Sequence, residues 1–248
     1  MEVKNLLKTY GYDLSYSLDD NRCTKALKKH LGNEKFIEFW NFVDSMVALF
    51  GEGDIEKIIR DRVGNDIKHL KILLSGQIII SVKLIQSIIK SIKTINLNDS
   101  MRILELGGSD GWAAEYVYKS IQVNSIIDVV DLNQLGCSSK ENIQLINSDY
   151  NDYISIKKYD IVYSVLGVSY NNIDSLLNCI KTNISPVGYL YLGLRIQPYD
   201  YENFIKKLED NGFQKQDEHL EIVKVTKDTG TEYLPVFKFK SKSLPVDN

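Results

Sequence analysis

The sequence is poor in the residues that build metal centres and disulfide frameworks. Only three of its 248 residues are cysteine and only three are histidine. Cys23, Cys137 and Cys179 are widely spaced and odd in number, and no Cys-x-x-Cys pair occurs. We therefore expect neither a disulfide framework nor a zinc site, and we predict no metal ligands. Each cysteine is interpreted as a small buried residue or an unremarkable surface thiol.

Two further absences exclude other classes of protein. The most apolar window, residues 72–84, contains Ser75, Gly76, Gln77 and Lys83, so it is too short and too polar to span a bilayer. The start of the chain has no apolar stretch of the signal-peptide type. The net charge is -3, without the basic surplus that nucleic-acid binders usually show. We expect a cytoplasmic protein that binds neither a membrane nor nucleic acid.

The chain divides into two regions near residues 96–100, a short polar stretch with turn chemistry. Before this point the apolar residues recur at helical spacing, and a long helix is predicted over residues 66–94. We predict that residues 1–98 form a helical region that caps the site as a lid or mediates homodimer contacts, and that residues 99–248 form a second domain. One predicted helix has an aromatic-rich face that we interpret as packing core: Phe36, Phe39, Trp40, Phe42, Val43, Val47 and Phe50.

After residue 100, short apolar runs alternate with amphipathic stretches. This alternation predicts an α/β fold with right-handed crossovers and a largely parallel sheet covered by helices on both faces. The chain ends differently, with two extended segments joined by a turn over residues 227–230, which predicts an antiparallel pair. The strands are expected at 102–106, 125–130, 143–146, 159–165, 189–194, 213–225 and 233–240, and the helices at 112–121, 173–182 and 201–210.

A glycine-rich turn follows the first of these strands. Residues 103–106 are apolar, and Gly107, Gly108 and Gly111 come next, before a predicted helix. Glycine allows backbone conformations that are closed to residues with a Cβ, and it lets a ligand approach the main chain. The first N–H groups of the helix point at whatever binds there. The pattern therefore indicates a ligand site.

Three kinds of nucleotide site compete for this turn. A P-loop needs Gly-Lys-Ser/Thr, and Asp110-Gly111-Trp112 stands there instead. A dinucleotide fingerprint that ends at Gly111 needs glycine where Leu106 stands. A cofactor that carries an amino acid and an adenosine suits the turn better, because the carboxylates of Glu105 and Asp110 repel diphosphate but can face an ammonium group.

Residues 103–111 resemble the first motif of the class I, Rossmann-like S-adenosylmethionine-dependent methyltransferases, Glu/Asp-x-Gly-x-Gly-x-Gly. Gly107 and Gly111 match, and Ser109 replaces the middle glycine. The resemblance covers roughly residues 100–240 and implies a seven-stranded, mostly parallel sheet whose last strand is antiparallel. It also implies S-adenosyl-L-methionine as the cofactor, bound by the turn residues Glu105, Gly107, Gly108 and Gly111.

Two later acidic residues extend the resemblance. Asp131 ends the second predicted strand, where the family places a carboxylate that binds the ribose hydroxyls. Asp149 and Tyr150 follow the third strand, where the family binds the adenine amino group and flanks the ring. The segment that contains Leu132 resembles that of small-molecule O-methyltransferases. The resemblance thus adds five cofactor contacts: Asp131, Leu132, Asp149, Tyr150 and Ser164 of the fourth strand.

The acceptor side of the reaction is less well marked. Methyl transfer is an in-line displacement, and the pocket of an open parallel sheet lies over the carboxyl ends of its strands. Tyr170 is a candidate to orient a substrate and Arg195 to hold a carboxylate or phosphate, although packing and a surface ion pair are the respective alternatives. The Asn/Asp-Pro-Pro-Tyr loop of other methyltransferases is absent, and Gly167 or Val168 stands where plant-type enzymes have a catalytic histidine. No general base is assigned.

The tyrosine cluster near the N-terminus offers a lid, with Tyr12 and Tyr16 facing the cofactor or substrate. We predict a methyltransferase that acts, in a biosynthetic pathway, on an O or N atom of a metabolite or small peptide. The alternative is a non-catalytic binding or regulatory subunit with the same fold. Ser109 in the glycine turn and the lack of an assigned general base favour this alternative. A dinucleotide-dependent oxidoreductase is disfavoured by Leu106.

Overall fold

The computed structural model of the chain describes residues 2–12, 25, 28–29, 31–38, 41, 71, 78–95, 100–132, 139–167, 173–194, 196, 200–216, 220–227 and 230–242. The chain forms two compact units, Met1–Ile79 and Ile80–Asn248. Five helices have defined bounds: α1 Val3–Thr9, α2 Ile78–Ile92, α3 Trp112–Ile121, α4 Ile173–Asn183 and α5 Tyr201–Asp210. The strands are β1 Ser100–Leu106, β2 Asn124–Asp131, β3 Ile143–Asn147, β4 Tyr159–Val165, β5 Ile184–Gly193, β6 Phe213–Lys215, β7 Leu220–Lys227 and β8 Gly230–Ser241.

The strands form one mixed sheet in the order β3-β2-β1-β4-β5-β8-β6, with β7 also paired to β8. The first five strands in this order are parallel, and β8 runs antiparallel to β5. This Rossmann-like α/β arrangement confirms the predicted fold class. The described sheet has eight strands where seven were expected, because β6 and β7 are separate segments that both pair with β8. Lys227 of β7 pairs with Gly230 of β8, and the two residues between them, within the predicted turn over residues 227–230, lie outside the described residues.

Helices cover both faces of the sheet, as the alternating pattern predicted. On one face, α4 and α5 bury their apolar sides in a cluster with Leu104, Val162 and Leu190. The opposite face carries the alternate residues of the strands, including the fully buried Tyr191, whose hydroxyl lies 3.3 Å from the Ser91 hydroxyl of α2. Helix α3 lies beside α2, since Gln86 donates a hydrogen bond to the Tyr116 hydroxyl.

The boundary between the units falls inside α2, between Ile79 and Ile80, and not at residue 98 as expected. The physical reason is the burial of α2, in which Leu84, Ile85 and Ile88 are almost completely removed from solvent. A Cβ added at Gly193 of β5 would lie 3.4 Å from the Leu84 side chain, so this helix residue faces the strand at the glycine. The helix therefore belongs to the sheet unit for most of its length, while the sequence shows only that it is helical and amphipathic.

Most predicted elements of the second region begin and end close to their expected residues. The bounds of α3, β4 and α5 are those predicted. Strand β5 begins at Ile184, earlier than the expected Tyr189, because Ile184 pairs with Tyr159 before a register shift. In the first region, residues 33–38 are helical and Phe36 is buried, while Phe39, Trp40 and Phe42 lie outside the described residues.

Within the described ranges, no helix is long and apolar enough to cross a membrane. The same residues contain no group of three or more histidine, cysteine, aspartate or glutamate side chains that could hold a metal ion. Cys179 is buried in α4, and burial raises the pKa of its thiol to about 11. Cys23 and Cys137 lie outside the described residues.

Candidate functional site

The candidate site lies at the carboxyl end of β1, where the strand order reverses direction. Strand β1 pairs with β2 on one side and with β4 on the other. The chain leaves β1 toward α3 on one face of the sheet and leaves β4 toward α4 on the other. Such a switch point opens a crevice at the carboxyl edge of the sheet, which is where open α/β sheets bind their ligands.

The glycine turn has a left-handed backbone at every second residue. Gly107, Ser109 and Gly111 have φ angles of 74°, 52° and 77°. These are the three glycine positions of the motif that residues 103–111 resemble. Ser109 therefore adopts a conformation that glycine reaches without cost and that costs other residues about 1–2 kcal/mol. Its side-chain oxygen is buried, and its backbone N–H is used in the site.

The turn after β1 touches the turn after β4 through the main chain. A Cβ added at Gly107 would lie 2.5 Å from Cα and 2.7 Å from the carbonyl oxygen of Gly167. Gly167 is equally restricted, since a Cβ there would lie 2.6 Å from the carbonyl oxygen of Leu106. Leu166 also has a left-handed backbone, with φ of 56°. Two strained turns therefore meet at the switch point, as is common where backbone conformation serves a site.

Glu105 is enclosed beneath this turn. The residue is only 3% exposed, and a Cβ added at Gly108 would lie 2.5 Å from its carboxyl carbon. The pKa of the carboxyl is raised to about 8, chiefly by burial and also by the nearby carboxylates of Asp110 and Asp131. The Tyr163 hydroxyl and the backbone N–H of Ala114 lower that pKa. The surroundings of Glu105 therefore favour the neutral form of its carboxyl group.

The second carboxylate of the site, Asp131, is fixed to the turn by a hydrogen bond. The backbone N–H of Ser109 donates to Oδ2 of Asp131 over 2.7 Å. The N–H of Gly107 donates to the carbonyl oxygen of Val130 over 2.9 Å, which holds the turn against the end of β2. Leu132 follows directly and is 54% exposed. A carboxylate and an exposed apolar side chain thus stand side by side at the crevice.

The third carboxylate, Asp110, lies in the turn itself and is 1% exposed. Its Oδ1 accepts a hydrogen bond from the Trp112 N–H at the start of α3, over 3.4 Å. Carboxylates at a helix N-terminus interact favourably with the helix dipole. The carboxylates of Asp110 and Asp131 give this edge of the sheet an acidic character, which favours a cationic ligand over a diphosphate, and Glu105 can add a third negative charge when it ionises.

The residues at the end of β3 form a tight polar turn. Oδ1 of Asp149 accepts a hydrogen bond from the Asn151 N–H over 2.9 Å. The Ser148 N–H donates to the carbonyl oxygen of Asp131 over 3.3 Å, so the ends of β2 and β3 are adjacent. Tyr150 is partly buried and packs against the core cluster beneath α4 and α5. Asp149 therefore lies at the same edge as Asp131.

Ser164 was expected to contact the cofactor, and the structure places its side chain inside the sheet. The residue is fully buried, and its hydroxyl donates to the carbonyl oxygen of Leu106 over 2.8 Å. This bond ties β4 to the last residue before the glycine turn. In this position the hydroxyl supports the turn from beneath.

The other residues predicted for the site lie either outside the described residues or in the first unit. Tyr170, Arg195 and Tyr16 lie outside the described residues, as do all three histidines, His30, His69 and His219. Tyr12 belongs to the first unit, where it is 3% exposed and its ring lies 5.1 Å from the Lys71 ammonium. The Lys71 ammonium also donates to the carbonyl oxygen of Tyr10.

Two contributors to the site escaped the sequence analysis. Tyr163 lies beneath the turn, and burial together with Glu105 raises the pKa of its hydroxyl. Alternate side chains of β4 point to the same face of the sheet, so Tyr163 is expected on the same face as Val165. This spacing indicates the face on which Tyr163 lies, but it does not indicate which residue Tyr163 contacts. Gly167 was considered only as a substitute for a catalytic residue. Its contact with Gly107 joins loops that are 60 residues apart in the sequence.

No protein-family model matches the chain, and no curated protein sequence matches it. Solved structures do show similarity. The N-methyltransferase NodS from Bradyrhizobium japonicum, in complex with S-adenosyl-L-homocysteine, has a TM-score of 0.49 at 12% identity, covering 88% of this chain and 98% of NodS. The 1,6-didemethyltoxoflavin-N1-methyltransferase of Burkholderia thailandensis has a TM-score of 0.49 at 10% identity, covering 65% and 79%.

Aeropyrum pernix fibrillarin, with natively bound S-adenosyl-L-methionine, has a TM-score of 0.43 at 17% identity, covering 62% of this chain and 74% of fibrillarin. Two of these three proteins are named as methyltransferases, and all three structures contain S-adenosyl-L-methionine or S-adenosyl-L-homocysteine.

Proposed function

We propose that the sheet unit binds S-adenosyl-L-methionine at the turn over residues 107–111 and that the chain transfers the methyl group of this cofactor. The observation that carries the proposal is the acidic edge formed by Glu105, Asp110 and Asp131 around a left-handed turn. The turn is hydrogen-bonded to one of these carboxylates, through the Ser109 N–H and Asp131. A diphosphate is disfavoured there, and a ligand with an ammonium and a sulfonium is favoured.

The described residues fit the separate parts of this cofactor. Oε2 of Glu105 is buried and, within the described chain, has no hydrogen-bond partner of normal geometry, which suits it to a positively charged group. Asp131 would receive the ribose hydroxyls. The exposed Leu132 and the neighbouring end of β3, with Asp149 and Tyr150, would take the adenine. The bound cofactor supplies an electrophilic methyl group on a sulfonium.

The acceptor in this proposal is an O or N atom of a metabolite or small peptide, in a biosynthetic pathway in the cytoplasm. The acidic sequence supports this class over nucleic acid, since phosphate contacts need a basic surface. The crevice between the turns after β1 and β4 would align the acceptor with the methyl group, and alignment alone accelerates such displacements strongly. The first unit would act as a lid, through Tyr12 and Tyr16, or as a homodimer contact.

The alternative function is a non-catalytic subunit that binds the cofactor without turnover. Ser109 favours it, because a glycine position of the turn is filled at a conformational cost. The two functions are distinguished by incubating the protein with methyl-labelled S-adenosylmethionine and a metabolite extract freed of protein and nucleic acid. Label in the small-molecule fraction supports the enzyme. Cofactor binding without label transfer supports the subunit, and transfer to added RNA or protein alone contradicts a small-molecule acceptor.

Cofactor binding itself is tested with Asp131→Asn. We expect calorimetry to show S-adenosylmethionine binding by the wild type, and the variant to bind about 10–100-fold more weakly, because it loses charge-assisted hydrogen bonds. Asp210→Asn is the matched control, since it makes the same change at an exposed residue at the end of α5. Absence of wild-type binding at millimolar cofactor refutes the proposal, and equal weakening by both variants refutes the role of Asp131.

The position of the adenine is tested with two exposed apolar residues that lie near opposite ends of strand β2. Leu132 follows the carboxyl end of β2 and is 54% exposed, while Ile126 lies near its amino end and is 47% exposed. We expect Leu132→Asp to weaken S-adenosylmethionine binding at least tenfold, because it puts a charge beside an apolar ring. Ile126→Asp should leave the dissociation constant unchanged. If both variants bind like the wild type in a calorimetric titration, Leu132 does not contact the adenine.

A further inference from the structure

The Glu105 carboxyl is in a setting that favours its neutral form in the ligand-free protein. It is 3% exposed, and a Cβ added at Gly108 would lie 2.5 Å both from its carboxyl carbon and from Cγ1 of Val129, the residue opposite it on β2. Oε2 has no hydrogen-bond partner of normal geometry among the described residues. A carboxylate in such a place lacks the hydration that would stabilise its charge.

The groups that act on this carboxyl come from every element around it. The turn contributes Asp110, β2 contributes Asp131, β4 contributes the Tyr163 hydroxyl, and α3 contributes the Ala114 N–H. Two of these groups are like charges and none is a cation. Burial, the largest influence, raises the pKa of Glu105 to about 8. The carboxyl therefore holds a proton until a positive charge reaches the site.

We infer that Glu105 is protonated in the ligand-free protein and releases its proton when S-adenosylmethionine binds, so that binding of the cofactor is coupled to release of one proton. This inference rests on the proposed function. The ammonium and sulfonium of the cofactor bring positive charge into a water-poor site that contains three acidic side chains. An opposite charge in such surroundings favours the ionised carboxylate, and the proton passes to the buffer. No bond other than the carboxyl O–H is broken.

The coupling has a defined pH dependence. With a pKa of about 8 in the free protein, about 0.9 proton should be released per cofactor bound at pH 7 and about 0.5 at pH 8. Below pH 8 the affinity should rise by up to about tenfold for each pH unit, because the proton competes with the cofactor. Above pH 8 the affinity should level off.

The experiment is calorimetric titration of the full chain with S-adenosylmethionine in buffers that differ in ionisation enthalpy. The slope of observed enthalpy against ionisation enthalpy gives the number of protons released. The ligand's own ammonium can also exchange protons, but this contribution cancels in the difference between wild type and Glu105→Gln. We expect that difference to be about 0.9 proton at pH 7. Glu115→Gln is the control, because Glu115 is a glutamate of α3 paired with Lys119 and Lys140, and it should behave as the wild type.

The outcomes separate this inference from the proposed function. If the wild type does not bind the cofactor, the proposed function fails. If both proteins bind and release the same number of protons, the function stands and the inference is wrong. Should Glu105→Gln bind too weakly to titrate, the infrared difference spectrum of the wild type decides. Loss of a carboxylic acid C=O band on addition of the cofactor supports the inference, and an unchanged band overturns it.

Discussion

Gly107→Ala should lower the free energy of unfolding by about 2–5 kcal/mol and abolish binding of S-adenosylmethionine. A left-handed backbone at alanine costs about 1–2 kcal/mol, and overpacking against a fixed neighbour costs about 1–3 kcal/mol. Gly107 has φ of 74°, and the added Cβ would lie 2.5 Å from the Gly167 backbone. The melting temperature should fall by roughly 5–20 °C. Because the clash is with main chain, a rotamer change cannot relieve it, and the turn must move.

Gly32→Ala is the matched control for this prediction. Gly32 has a similar φ of 81°, but a Cβ added there meets no atom of the described residues within 4 Å. The change that Gly32→Ala causes in the free energy of unfolding measures the backbone cost alone. This variant should bind the cofactor like the wild type. Thermal melting and calorimetric titration of both variants give the comparison. If Gly107→Ala is no more harmful than Gly32→Ala in both measurements, the contact between the two turns is not important.

Glu105→Gln should change how stability depends on pH. Glu105 has a folded-state pKa of about 8 against 4.5 for an unperturbed glutamate, so between these values the folded protein holds a proton that the unfolded chain has lost. Raising the pH through this window therefore destabilises the wild type, by at most about 5 kcal/mol in total. Glutamine is neutral throughout, so the variant lacks this loss. Relative to the wild type, it should gain several kcal/mol between pH 5 and pH 9.

Urea denaturation of the ligand-free proteins at pH 5, 7 and 9 measures this effect. Glu115→Gln is again the control variant. At neutral pH its expected effect on the free energy of unfolding is opposite in sign to that of Glu105→Gln. Glu115 forms ion pairs with Lys119 and Lys140, so its replacement should cost stability at neutral pH. Parallel pH profiles for the wild type and Glu105→Gln would show that Glu105 is not held neutral in the fold.

The parts of the fold that depend on local pattern could be predicted from the sequence. The helix Trp112–Ile121 and the strand Tyr159–Val165 have the bounds that their periodicity indicated, because each buries a continuous face. The parallel sheet followed from the alternation of strands and helices. The separation of β6 from β7 was not predicted, because residues 213–225 were interpreted as one strand. The pairing with β8 shows that segments 213–215 and 220–227 are two strands.

The site could be predicted less completely, because its properties depend on contacts between distant segments. The spacing of Glu105 and Asp131 indicated that both lie near the turn, but it did not reveal that Glu105 is enclosed and Asp131 is bound to the Ser109 N–H. Tyr163 carries no signal of its own role in the sequence. The acceptor residues Tyr170 and Arg195, the cofactor contacts and the lid stay predictions.

The contact between Gly107 and Gly167 also constrains how this sequence can change over generations. A side chain gained at either position forces the opposite turn to rebuild, so neither glycine can be replaced first without damage to the other loop. Substitution of either glycine is therefore selected against for as long as the site requires the opposite loop. Descendants that retain the site should keep both glycines, and lineages that have abandoned it are free to lose the pair together.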